Sequence, residues 1–333
     1  MVVQSKIRPR IRVKVVKKTE PKQKHKLFQH KPKKKTEEEP KRKKLDLFTI
    51  CVLVVMMIGW YVLTFPTSAN LINKIYNVNT ISSYQSDLQD YSDEDLQKMI
   101  VDCQMYNAKI YEEQQKTQFK YRGSSASDEE YESLPMRTTM IATLYVPKLG
   151  INVSVGHGTN DTLLQGSAGH LYGTSLPVEG ENVHSVIAAH SALASAELFT
   201  HLNRLVKDDI FYVTVLNQKY EYKVVDINTV LPEDDYEYEQ IETGKNYVTL
   251  YTCTPYGINT HRLLVKGEFV GVEKVELNGD FKLTIWGDLA AYSSELALII
   301  LAPFIVVLVY NIVDYNTSKK KKKKKQASKN QQV

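Results

Sequence analysis

Two kinds of hydrophobic pattern divide this chain. Residues 47–65 run Leu-Phe-Thr-Ile-Cys-Val-Leu-Val-Val-Met-Met-Ile-Gly-Trp-Tyr-Val-Leu-Thr-Phe without a charge, and 296–313 form a second apolar stretch interrupted by Pro303. A bilayer core takes about 20 apolar residues of helix, and a membrane helix tolerates an internal proline. Both stretches therefore read as membrane spans, with Trp60 and Tyr61 suited to the interfacial aromatic belt. A cleavable leader is shorter and ends in a small-residue site, so 47–65 reads as a retained anchor. Between the spans the pattern changes twice. Residues 66–139 are rich in Gln, Asn, Tyr, Asp and Ser, and Leu96, Met99/Ile100, Cys103, Tyr106/Asn107 and Ile110 recur at helical spacing. Residues 120–138 are polar and acidic and predict a loop or flap. From Ile141 onward short alternating segments appear at 143–146, 151–155, 183–188, 211–216, 220–227, 248–252 and 263–270, with one short helix over 196–202. Seven or so strands at this spacing, punctuated by Gly and Pro, predict a closed or nearly closed β-barrel.

Charge sharpens this layout. Residues 1–45 carry 18 Lys/Arg against 4 Asp/Glu, and residues 314–333 carry 8 Lys against one Asp. With +5 overall, the part between them holds −16. Positive flanks stay on the cytoplasmic side, so both ends are expected inside and 66–295 outside. The basic ends lack interleaved aromatics and adjoin the spans, which argues against nucleic acid as a partner. The same charges favour anionic lipids of the inner leaflet.

Three cysteines remain to be placed. Cys51 falls in the first span, and Cys103 lies on the apolar face of the predicted helix. Cys253 ends the run Tyr247-Val248-Thr249-Leu250-Tyr251-Thr252, which reads as a strand carrying a thiol to its tip. Pro255 and Gly257 break that strand, and Arg262 begins the next. His190 closes a similar run, Ser185-Val186-Ile187-Ala188-Ala189. A Cys103–Cys253 disulfide is the structural alternative. The chemical reading is acyl transfer. A thiol becomes an effective nucleophile beside a base or a cation, His190 is placed to move protons, and Arg262 is suited to an oxyanion. His170 and His184 read as structural, and His157 and His201 have no partners at ligand spacing. The acidic run Glu233, Asp234, Asp235, Glu237, Glu239 reads as a solvated loop, with calcium binding as its alternative. No Cys/His cluster calls for a metal, and no cofactor is implied.

The order His, Cys, Arg, with Thr249-Leu250-Tyr251-Thr252-Cys253-Thr254-Pro255-Tyr256-Gly257-Ile258-Asn259-Thr260-His261-Arg262-Leu263, closely resembles the sortase transpeptidases. Residues 151–164, 169–177 and 180–185 extend the resemblance to class C, the pilin-polymerising sortases, over about 140–272. The resemblance implies an eight-stranded sortase-type β-barrel and the triad His190, Cys253 and Arg262. It implies cleavage of a Leu-Pro-x-Thr-Gly-like sorting signal at Thr–Gly and transfer of the acyl group to a pilin lysine. A housekeeping-type sortase using a cell-wall amine, and a non-enzymatic membrane-tethered scaffold, are the alternatives. Expected partners are pilin or surface-protein substrates and the membrane. Two departures stand out. Class C members continue after the histidine with Arg-Gly-Leu, where this chain has Ser191-Ala192-Leu193, and no Asp-Pro-aromatic lid anchor occurs in 66–140. The expected layout is a basic cytoplasmic tail (1–46), a transmembrane helix (47–65), an extracellular helical segment with possible lid (66–139) and a catalytic barrel (140–273). A linker (274–295), a second transmembrane helix (296–313) and a polylysine cytoplasmic tail (314–333) follow.

Overall fold

The first apolar run does not end at residue 65. In the computed structural model, which describes residues 47–116, 128–136, 138–276 and 293–330, helix α1 runs unbroken through Pro66 from Leu47 to Leu88. Its first half is apolar and solvent-facing, as a lipid-facing segment would be. Its second half turns amphipathic, burying Leu71, Ile81, Tyr84 and Leu88 at three- to four-residue multiples. Asn77, fully buried on the same face, donates to Gly166 O at 2.7 Å and accepts from Ser154 N and Oγ at 2.9 Å each. An asparagine where an apolar residue belongs is why the sequence pattern there looked merely polar.

Helix α2 (Asp93–Lys116) starts at a reciprocal cap. Asp95 N donates to Ser92 Oγ at 3.1 Å, while Ser92 N and Oγ donate back to the Asp95 carboxylate. The predicted face is buried: Leu96, Ile100, Cys103, Tyr106, Asn107 and Ile110. Asn107 locks this helix to the barrel, donating to Leu176 O (2.9 Å) and accepting from Leu176 N (2.7 Å).

The described part of the flap is a plug rather than a solvated loop. Short helix α3 (Glu129–Glu132) places Tyr131 at zero exposure. Its hydroxyl accepts from Gly158 N (3.0 Å) and lies 2.9 Å from His170 Nδ1, and its ring packs against Tyr106, His157 and Tyr172. Asp128 caps α3 and accepts from Tyr172 Oη at 2.8 Å. Residues 120–127 of the predicted flap lie outside the described residues.

Eight strands follow: β1 (Met140–Val146), β2 (Ile151–His157), β3 (Ala168–His170), β4 (Val183–Ala188), β5 (Ile210–Val215), β6 (Gln218–Val230), β7 (Asn246–Thr254) and β8 (His261–Lys274). They close a barrel in the order β1-β2-β3-β4-β7-β8-β6-β5. The pairs β2–β3 and β4–β7 are parallel and the others antiparallel. Alternation buries Phe211, Val213 and Val215 of β5 and Tyr220, Tyr222 and Val224 of β6. Phe211 stacks on Tyr222 at 5.5 Å. Gly267 of β8 permits that stack, since a Cβ there would lie 2.5 Å from the Phe211 ring.

Three expectations on the barrel need correction. The strand β3 was not foreseen, being three residues without alternation. The predicted helix 196–202 is a set of turns leading to a single 3₁₀ turn at Leu202–Arg204; Leu193 and Ala196 instead bridge across a tight turn. The acidic run is only partly solvated, because Asp235 (0% exposed) and Glu239 are buried in a 3₁₀ turn, Asp235–Glu239. Short helix α4 (Asp161–Leu164) precedes β3, and the second apolar stretch lies in α5 (Ser293–Asn330), which continues through the lysine run.

Candidate active site

Strand register gathers the three predicted residues at one end of the barrel. Cys253 on β7 is paired directly with Arg262 on β8, so the two side chains leave the same face of the sheet. On the other side of β7, β4 runs parallel and pairs Ala188 with Tyr251. β4 ends there, and the same register carried two residues past its end sets His190 alongside Cys253. All three are half-buried, which suits groups that must meet a substrate. The β7–β8 connection turns on Gly257 (φ +71°) and Asn259 (φ +61°), left-handed positions that Gly and Asn tolerate.

Past the end of regular pairing, side chains keep β4 and β7 joined. Ala189 N donates to Tyr251 O (3.1 Å), Thr252 Oγ1 to Ala189 O (2.7 Å), and Ser191 Oγ to Cys253 O (2.5 Å). Ser191, where the class C resemblance leads one to expect arginine, is thus a latch on the backbone of Cys253. Ala192 takes φ +60°, a conformation in which the glycine expected from the class C resemblance would sit without strain. Phe199 N holds His190 O at 3.1 Å. The loop after His190 is tied to α1 as well: Glu197 N donates to Asn70 Oδ1 (3.0 Å), and Lys74 approaches the Glu197 carboxylate at 3.7 Å.

Arg262 is fixed on two sides. Its Nε donates to Tyr251 Oη at 2.9 Å, and its Nη1 donates to Asn259 O and His261 O at 3.2 Å each. Tyr251 Oη donates onward to Asp235 Oδ2 at 2.7 Å. Sequence reasoning missed both partners. Tyr251 had a signal, since it lies two residues before Cys253 and so shares its face of β7. Asp235 had none, being one acid among five.

The remaining histidines sit elsewhere. His184 is fully buried, with Nδ1 2.7 Å from Gln240 O and Nε2 2.8 Å from Thr249 Oγ1; burial pushes it down to about 4. His170, also fully buried, bonds Ser175 O through Nε2 at 2.8 Å and is likewise pushed down to about 4. His157 Nε2 meets Leu134 O at 2.7 Å. His261 pairs with Thr254, and its Nδ1 lies 2.9 Å from Thr260 Oγ1. Cys103 is buried and free, its thiol pushed up to about 12 by desolvation, and Cys253 is free as well. The disulfide alternative is therefore absent. Among the described residues, no group of three or more His, Cys, Asp or Glu is placed to hold a metal ion.

Residues 144–270 match the family profile described as Sortase domain. Sortase C1 of Streptococcus agalactiae is 39% identical, with a TM-score of 0.53 over 58% of this chain and 98% of that one. The chain belongs to the sortase family. A sortase C of Clostridium perfringens, solved with a C-terminal cell-wall sorting motif, is 34% identical, with a TM-score of 0.50 over 58% of this chain and 99% of that one. Among curated relatives, sortase A of Listeria monocytogenes is 27% identical over 140 residues. That alignment takes in 42% of this chain and 60% of the relative's length. The family is one of cysteine transpeptidases, and the solved neighbours here are of class C.

Proposed function

We propose that this chain is a membrane-anchored cysteine transpeptidase of class C type, acting on proteins with a C-terminal Leu-Pro-x-Thr-Gly-like sorting signal and joining them to a pilin lysine. The observation that carries this reading is the convergence of His190, Cys253 and Arg262 at one strand end. Cys253 Sγ, its proton taken up by His190, attacks the Thr carbonyl of the Thr–Gly bond. Arg262 donates to the oxyanion that forms, an interaction stronger in the transition state than in the ground state. His190 protonates the glycine amine as the C–N bond breaks, leaving a thioester on Cys253. A lysine ε-amine then attacks that thioester, surrenders a proton to His190 and releases the thiolate. The sorting motif bound in the Clostridium perfringens sortase C supports the substrate class. The two apolar helices, with basic residues at their outer flanks, support a barrel held outside by two anchors with both ends cytoplasmic.

The acceptor is the discriminating test. The full chain in detergent, given a sorting-signal peptide and either a pilin carrying a surface lysine or a cell-wall peptide amine, should form a covalent product with the pilin. A product formed only with the cell-wall amine would favour the housekeeping reading instead.

A further inference from the structure

The guanidinium of Arg262 is held at two of its three nitrogens. Nε and Nη1 are occupied by Tyr251 Oη, Asn259 O and His261 O, while Nη2 makes no hydrogen bond among the described residues. Behind Tyr251 stands the carboxylate of Asp235, at zero exposure. Guanidinium, phenol and carboxylate form one line of two hydrogen bonds: Nε–H donates to Oη, and Oη–H donates to Oδ2. A carboxylate buried at this depth needs opposite charge or donors to offset its desolvation. Tyr251 Oη is one such donor, and it in turn accepts from the Arg262 cation. The same contacts hold the guanidinium plane of Arg262, whose strand partner is Cys253.

We infer that Tyr251 and Asp235 are positioning residues that aim Arg262 at the oxyanion, Tyr251 directly and Asp235 through Tyr251. This rests on the acyl-transfer role proposed for Arg262. Charge alone would act from many orientations, whereas a donor placed for an oxyanion acts only if held in line. The acidic run between β6 and β7 thus has a mechanistic member, and the residue before Thr252-Cys253 is more than a strand filler. Because Asp235 lies on the β6–β7 connection, a shift of that connection would reach Arg262 through a single hydroxyl.

Three variants in the full chain test this, read by single-turnover acylation with a sorting-signal peptide and by hydrogen exchange at the Arg262 side-chain Nε–H in ¹⁵N-arginine-labelled protein. Losing a hydrogen bond to a charged group typically costs roughly 10- to 100-fold. Tyr251→Phe should slow acylation by about that factor, leave peptide affinity within about 2-fold, and speed Nε–H exchange by about 10-fold or more. Asp235→Asn, which keeps a carbonyl to accept from Tyr251, should retain most of the rate. Tyr251→Phe/Asp235→Asn should be no slower than Tyr251→Phe alone, because Asp235 acts through the missing hydroxyl. Wild-type acylation rates in Tyr251→Phe would overturn the inference. So would a loss of rate with Nε–H exchange unchanged, which would mark Tyr251 as structural only. Should the wild type itself form no thioester, the acyl-transfer reading falls, and the exchange rates still decide whether Tyr251 holds Arg262.

Discussion

Arg262 concentrates the chemistry of the site into one planar side chain. A lysine would keep the charge but lose the fork that meets Tyr251, Asn259 and His261 at once while leaving a donor for the substrate. Arg262→Lys should therefore lower turnover on the order of 100- to 1,000-fold, the usual cost of an oxyanion donor, with little change in melting temperature. His190→Ala should be at least as damaging, since it removes the group proposed to protonate the leaving amine. Near-native turnover in Arg262→Lys would return that residue to a general electrostatic role. At this scale the sequence was informative where spacing alone fixes geometry. Cys253 and Arg262 flank one turn, and a strand break after each run marks the tips. It was silent on Asp235 because burial depends on how the 3₁₀ turn folds back, which no local pattern encodes. Ser191 was visible as a departure, but its bond to Cys253 O needs the β4–β7 register to be known.

Among the elements, α1 carries the largest difference between pattern and structure. At about 1.5 Å per residue its 42 residues span about 63 Å, roughly twice the bilayer core. The second half is therefore available to pack on the barrel. Asn77 is the centre of that docking. Asn77→Ala would leave Ser154 N and Gly166 O without its amide, and should destabilise the folded protein by roughly 1–3 kcal/mol, seen as a lower thermal midpoint in detergent; an unchanged midpoint would show that α1 docks without it. The face of α2 was legible because its apolar spacing is unbroken, whereas the face of α1 is interrupted by that asparagine. His184 and His170 give the barrel an acid limit. Each has an ordinary value of 6.5 and a folded value of about 4, so between those values each histidine takes up a proton on unfolding. Their contribution is intact above about pH 6.5, declines below it and is exhausted near pH 4, up to about 3 kcal/mol for each. The thermal midpoint should fall across this range, and His184→Gln should flatten the slope. An identical slope in the variant would show that other groups govern acid stability.

For the whole molecule, a closed or nearly closed barrel was expected from seven or so strands and their turn spacing, and eight strands from the sortase resemblance, but the circular order was not. The parallel pairs β2–β3 and β4–β7 join segments distant in sequence, and only that order brings His190 beside Cys253. Membrane topology belongs to this scale too. Epitope tags at both ends should survive protease added to intact cells while the intervening barrel is digested. Loss of the C-terminal tag alone would mean that the apolar stretch 296–313 does not cross. All of this organisation serves one proposed event, the transfer of an acyl group onto a single thiol. The most direct measurement is mass spectrometry of the full chain incubated with a Leu-Pro-x-Thr-Gly peptide and no acceptor amine. A thioester adduct ending in threonine should appear on Cys253, labile to hydroxylamine and missing in Cys253→Ala. An adduct that persists in Cys253→Ala, or a wild type that never acquires one from any such peptide, would contradict the account.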